Sequence, residues 1–288
     1  MQDKGECMRI VITGHYGQLG TALKQLLQDQ HELFLIDVPL FDITDRTVIV
    51  QAITNFRPDI VIHTAAFTNV DGCTREPDKA YQINALGTQN IALACQRVGA
   101  ALVFISTNEV FDGAATQPYL EFDATNPINV YGRSKLAGEW YTQMLLQQFY
   151  IVRTAWLFAP AGNNFVRKII RAADERGQLT VVDDEISSPT YAPDLALAIV
   201  RLLATEAFGI YHFTNEGICS RYDFAVEILK GAGRAHIPVQ PIKSEQYERV
   251  SSPPLYAPLR NFCGASLSLT LRPWQEALEE YLRLEHSA

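Results

Sequence analysis

The stretch Arg9-Ile10-Val11-Ile12-Thr13-Gly14-His15-Tyr16-Gly17-Gln18-Leu19-Gly20 decides the fold. Its first five residues form a β-branched, apolar run that stops at a glycine, and helical periodicity resumes with Leu19, Ala22, Leu23, Leu26 and Leu27. The order is strand, turn, helix. Glycines at the first, fourth and seventh positions of the turn permit a sharp bend and close backbone approach. The N-terminus of the helix that follows offers free N–H groups and the positive end of a dipole, which suits a pyrophosphate. A plain strand-to-helix turn is the alternative. At the head of an alternating chain the pattern predicts dinucleotide binding by Gly14, Tyr16, Gly17, Gln18, Leu19 and Gly20.

Outward from this turn the alternation continues. A second strand over 32–36 ends at Asp37, roughly twenty residues beyond Gly14, where a carboxylate accepts hydrogen bonds from an adenosine ribose and repels a 2′-phosphate. Neither Val38 nor Pro39 supplies an arginine, so NAD(H) is favoured over NADP(H); a solvated loop acid is the other reading of Asp37. Asp42 and Ile43 follow, placed to flank an adenine, and a helix is expected over 45–56 with its cap in the preceding loop. A buried-type strand over 58–63 leads to Thr64-Ala65-Ala66-Phe67, whose small residues let a ligand approach the backbone. One long helix is expected over 80–98. It contains Asn84, which holds a water or a kink behind the site, caps, or faces solvent. A strand over 101–105 delivers Ser106 and Thr107 to the same edge. These units predict an α/β fold, a Rossmann-type doubly wound parallel sheet with its crevice at the strand C-terminal ends.

Composition limits the function classes. With 288 residues, 48% hydrophobic and 19% charged, the chain is long enough for one large domain or one and a half. A net charge of -8 with no Lys/Arg cluster argues against nucleic acid as a partner. The segment before Met8 is polar and too short for a signal peptide, and no apolar run long enough to span a bilayer is present, so no membrane partner and a cytoplasmic location are expected. Cys7, Cys73, Cys95, Cys219 and Cys263 are scattered without metal or disulfide spacing.

Tyr131-Gly132-Arg133-Ser134-Lys135 opens a further helix, and its tyrosine and lysine, four apart, share a face. An ammonium beside a phenol favours the phenolate, which makes the pair a tuned acid or base. The Thr107 hydroxyl can bond the carbonyl or alcohol that Tyr131 protonates, completing a constellation of Thr107, Tyr131 and Lys135.

With Val110-Phe111-Asp112-Gly113 and the run from Asn129 to Glu139, these residues make the chain resemble the extended short-chain dehydrogenases/reductases, and among them the dTDP-4-dehydrorhamnose reductase family. The likeness continues through Arg153-Thr154-Ala155-Trp156, Gly162-Asn163-Asn164-Phe165 and the stretch 188–196. It implies hydride transfer to the C4 ketone of a nucleotide-bound 6-deoxysugar. Tyr131 would protonate the alkoxide, Lys135 would hold the nicotinamide ribose and lower the tyrosine pKa, and Thr107 would orient the keto oxygen. Asp37, Asp42 and Ile43 would meet the adenosine, and Ala65, Ala66 and Phe67 the middle of the cofactor. Asn108, Trp156 and Asn164 would contact the substrate; composition alone reads Trp156 as a core aromatic.

The family usually carries an acid and then an aromatic after the threonine, whereas Asn108 and Glu109 stand here. Glu109 raises the rival reading of a nucleotide-sugar 4,6-dehydratase, since the resemblance implies an Asp-Glu pair there, but Asn108 cannot supply that elimination's proton; a nucleotide-sugar epimerase is a further alternative. A non-catalytic cofactor-binding regulatory subunit is a third reading. Ala22 stands where some family members carry an acid for a metal-linked dimer, so no metal is predicted and the chain is expected as monomer or homodimer. Residues 8–158 are read as the cofactor domain, with segments near 180–213 returning to it. Residues 159–179 and 214–288 form a smaller substrate-binding lobe, in which Arg260 is either a diphosphate ligand or a solvated loop arginine.

Overall fold

The computed structural model describes residues 7–160 and 162–286, so the reading of the leader over residues 1–6 lies outside the described residues. β1 (Arg9–Thr13), α1 (Gln18–Leu27), β2 (Glu32–Ile36), α2 (Arg46–Phe56) and β3 (Ile60–His63) open the chain. α3 (Val70–Arg75), α4 (Pro77–Tyr81) and α5 (Thr88–Val98) precede β4 (Ala101–Thr107), and α6 (Val130–Leu145) leads into β5 (Phe149–Thr154). There follow β6 (Leu157–Phe158), α7 (Phe165–Arg176), β7 (Leu179–Val182), β8 (Ile186–Ser187), β9 (Thr190–Tyr191), α8 (Ala192–Leu203) and β10 (Gly209–His212). β11 (Cys219–Ser220), α9 (Arg221–Gly231), β12 (Val239–Ile242), α10 (Cys263–Ser266) and α11 (Trp274–His286) complete it.

Six strands form one sheet in the order β10-β5-β4-β3-β1-β2, with every neighbouring pair parallel. β2 lies on one side of β1 and β3 on the other, so the winding reverses at β1 and opens a crevice at the C-terminal ends of β1 and β3. Apolar runs such as Ile10-Val11-Ile12 and Ile60-Val61-Ile62 suit strands covered on both faces. On one face Leu19, Leu23 and Leu27 of α1 pack with Leu195, Ile199 and Leu202 of α8; on the other, Ile49 and Ile53 of α2 meet Ile91 and Cys95 of α5. Each such fully buried side chain contributes about 1.5–3 kcal/mol.

A second core gathers Phe158, Val166, Ile169, Phe224, Ile228, Trp274, Leu278 and Tyr281 from β6, α7, α9 and α11. Here the structure differs from the boundaries read in the sequence. Of the segment 180–213, α8 and β10 rejoin the large sheet, but β7 pairs with β12 and sends Leu179 and Val181 into the second core. The long helix over 80–98 is also interrupted: Gln82–Gly87 forms a π-helical turn between α4 and α5. All five cysteines are free. Among the described residues, no helix is long and apolar enough to cross a membrane and no cluster of His, Cys, Asp and Glu is arranged to hold a metal ion.

Candidate active site

The turn after β1 is held by its glycines. Gly14 has φ +70°, and a Cβ there would lie 2.6 Å from the Ala65 nitrogen, so only glycine lets the loops after β1 and β3 come together. A Cβ at Gly20 would lie 2.3 Å from the Gly14 carbonyl oxygen, which seats α1 on the turn. The Tyr16 N–H donates to Asp37 Oδ2 at 3.2 Å, tying the turn to the end of β2. Above it lies a cavity of ≈ 840 Å³ lined by Gly14, Tyr16, Gly17, Gln18, Leu19, Asp37, Asp42, Ile43, Ala65 and Ala66, a volume suited to a dinucleotide. Two buried side-chain oxygens on its wall, Gln18 Oε1 and Thr154 Oγ1, have no hydrogen-bond partner among the described residues. A glycine turn at a helix N-terminus with spare polar atoms beside it fits a nicotinamide dinucleotide.

Thr107, Tyr131 and Lys135 line the same cavity. The Asn129 side chain caps α6 by accepting from the Gly132 N–H at 2.8 Å. A Cβ at Gly132 would fall 2.0 Å from the Glu109 carbonyl oxygen, so the glycine lets the first turn of α6 press against the end of β4. This contact sets the start of α6, with Tyr131, beside the strand end that carries Thr107. Asn84 fastens the helix from behind: its Oδ1 accepts from the Phe67 N–H at 2.8 Å, and its Nδ2 donates to Ser134 Oγ at 2.9 Å. Of the roles open to Asn84 in the sequence, the structure assigns a buried clamp within a π turn.

The electrostatics reverse one expectation. Burial drops the Lys135 ammonium to about 7, partly countered by Glu139, and its Nζ sits 4.1 Å above the Phe104 ring. Burial, and then the charge of Glu109, push the Tyr131 phenol above its ordinary value; Thr107 acts the other way. The low-dielectric surroundings disfavour the charged form of both groups. Glu109 lies beside them, its Oε2 accepting from Asn129 Nδ2 at 2.6 Å, and burial pushes its carboxyl up to about 7.

A side cleft of ≈ 530 Å³ adjoins this cavity, and both are bordered by Asn108, Glu109, Trp156, Asn163 and Arg221. Trp156 stands in the left-handed region at φ 45°, a strain of about 1–3 kcal/mol for a bulky residue. The Arg221 guanidinium stacks 3.6 Å over its ring and lies 3.8 Å from Glu185 Oε2. Arg249 also pairs with Glu185, and Lys168 and Tyr247 complete the rim.

Several residues read from the sequence stand elsewhere. Phe67 contributes its backbone to the Asn84 clamp. Asn164 caps α7, accepting from the Arg167 N–H at 3.2 Å while its Nδ2 donates to the Ala159 carbonyl at 2.7 Å; its neighbour Asn163 faces the cleft. Arg260 is exposed, its guanidinium 5.9 Å from the Phe262 ring, and lines neither cavity. Asn108 borders both, but its Nδ2 already donates to Ser187 Oγ and the Ala257 carbonyl. The sequence reading missed Lys168, Glu185, Arg221, Tyr247 and Arg249, and only Arg221, directly after the cap Ser220, had a local signal to mark its place.

A glycine turn at the switch point of a parallel sheet, lining one cavity with a Thr-Tyr-Lys set, defines the class: an extended short-chain dehydrogenase/reductase. The chain belongs to the RmlD substrate binding domain family, which matches residues 8–286. Spore coat polysaccharide biosynthesis protein SpsK of Bacillus subtilis is 39% identical over 281 residues, spanning 97% of this chain and 99% of that protein. The dTDP-4-dehydrorhamnose reductase of Mycobacterium tuberculosis is 39% identical over 282 residues, 95% of this chain and 92% of that one. The crystal structure of the Bacillus anthracis dTDP-4-dehydrorhamnose reductase in complex with NADP is similar at a TM-score of 0.94 and 40% identity, covering 97% of this chain and 100% of that chain.

Proposed function

We propose that the chain is an NAD(P)H-dependent oxidoreductase that reduces the 4-keto group of a nucleotide-activated 6-deoxysugar, converting dTDP-4-dehydrorhamnose to dTDP-L-rhamnose. The observation that carries this reading is that Thr107, Tyr131 and Lys135 line one cavity together with Gly14, Gly17, Gln18 and Leu19 of the glycine turn. Reductases among its relatives, matched over nearly their whole length, support it. A bound nicotinamide would supply the hydride. Tyr131 would give its proton to the developing alkoxide, and a phenol held above its ordinary value stays protonated at neutral pH, as a donor must. Thr107 would orient the keto oxygen and Lys135 would hold the cofactor ribose.

In this reading the cofactor lies along Gly14–Leu19, Asp37–Ile43 and Ala65–Ala66. The sugar meets Thr107, Asn108 and Trp156, and the diphosphate meets Arg221, Arg249 and Lys168, in place of Arg260. The large sheet carries the cofactor and the second core carries the nucleotide end of the substrate, in a cytoplasmic monomer or homodimer. Asp37 favours NAD(H), while the NADP in the Bacillus anthracis relative speaks for NADP(H).

The deciding experiment follows loss of NADH or NADPH absorbance with dTDP-4-keto-L-rhamnose, beside dTDP-4-keto-D-glucose as control. Oxidation with the first sugar alone supports the reading. Oxidation with neither, despite measurable cofactor binding, overturns it.

A further inference from the structure

We propose that Glu109 is the proton-supplying residue of this site: its carboxyl returns a proton to Tyr131 after each reduction and is refilled from the side cleft. The proposal rests on the reductase reading above. Glu109 borders both cavities, whereas Tyr131 and Lys135 border only the larger one, so Glu109 joins the reacting tyrosine to the side opening.

Three contacts fasten Glu109 to the machinery. Its N–H donates to Thr107 Oγ1 at 3.2 Å, and its carbonyl oxygen packs where a Gly132 Cβ would stand. Asn129, the cap of the helix carrying Tyr131, donates to Glu109 Oε2 at 2.6 Å. The carboxyl is therefore tied to the cap of α6. Arg221 and Arg249 face it and favour its charged form, Glu185 opposes them, and the charge of Glu109 raises both Tyr131 and the Cys73 thiol.

The proton balance is complete without a further reagent. Reduction removes the phenol proton of Tyr131 and leaves a phenolate, whose proton affinity far exceeds that of a carboxyl. The Glu109 O–H bond breaks, a phenol O–H forms, and water in the side cleft reprotonates the resulting carboxylate. Burial holds Glu109 at about 7, so a large share of it carries the proton at neutral pH.

The test measures kcat and KM against pH for the full-length wild type, Glu109→Gln and Glu109→Asp, with dTDP-4-keto-L-rhamnose and the preferred nicotinamide. Because the protonated carboxyl is the active form, wild-type kcat should fall as pH rises past about 7. Glu109→Gln can still accept the Asn129 bond. It should keep both KM values and its melting temperature, lose kcat by about 100-fold, and lose the pH limb. Glu109→Asp should recover the limb in part. Unchanged kcat and pH limb in Glu109→Gln would overturn the proposal, as would equal damage in both variants with raised KM. An inactive wild type overturns the reductase reading and this proposal with it. An active wild type with an unaffected Glu109→Gln overturns this proposal alone.

Discussion

Glu139 and Arg153 form a two-point ion pair inside the molecule, with Arg153 Nε 2.9 Å from Oε1 and Nη2 2.7 Å from Oε2, and neither side chain more than 4% exposed. Glu139 also accepts from Ser106 Oγ at 2.5 Å, and Arg153 reaches His212. The pair pins α6, one turn past Lys135, to β4, β5 and β10. Glu139→Ala strands a buried guanidinium and should destabilise the fold by about 3–5 kcal/mol. Urea denaturation at fixed cofactor concentration measures this, and a loss below 1 kcal/mol would mean that the pair is not structural.

Tyr131→Phe removes the proton donor and little binding surface. It should lower kcat by at least about 100-fold while the cofactor Kd changes little. Steady-state rates with a fluorescence titration of NADH or NADPH separate the two quantities. Near-normal turnover would sink the assigned role.

Lys135 gives a pH signature in stability. Its folded pKa, about 7, lies below the ordinary lysine value of 10.5, so between these values the unfolded chain binds more protons than the folded one. Stability from this group therefore rises with pH across that window and is lowest below 7. Lys135→Met should remove the slope and raise the melting temperature at neutral pH while weakening cofactor binding. Identical slopes in the two proteins would contradict the assignment.

Arg249→Ala takes one guanidinium from the side cleft and leaves Glu185 with Arg221. If the cleft receives the diphosphate, KM for the nucleotide sugar should rise about 10- to 100-fold with kcat nearly unchanged. Arg260→Ala, on the exposed loop, should leave both constants alone. The reverse pattern would return the diphosphate to Arg260.

What was legible in the sequence follows from range. The Gly14–Gly20 turn is a local device: strand, glycines and helix are contiguous, and Gly14 and Gly20 are demanded by atoms of the same turn or of the loop after β3. Asp37 and Thr107 were readable because a parallel sheet puts every strand's C-terminal end on one edge. The side cleft was not readable, because which of Arg221, Arg249 and Arg260 faces it depends on the path of the second core. Asn163 and Asn164 are neighbours that differ only in which one the helix takes as its cap. The π turn at Asn84 adds backbone without changing the apolar pattern, so it read as uninterrupted helix. The pKa reversal at Tyr131 and Lys135 comes from burial, which no spacing records.

The late arrival of β10 bears on how the chain is made. Its partner β5 ends at Thr154, but the strand that covers it begins only at Gly209, after β6, α7, β7, β8, β9 and α8 have been made. A chain growing from its N-terminus thus passes through a stage in which Phe149-Tyr150-Ile151-Val152 forms an open, apolar sheet edge. The length of the intervening segment sets how long the nascent polypeptide is exposed to wrong pairing before its own next strand seals the sheet.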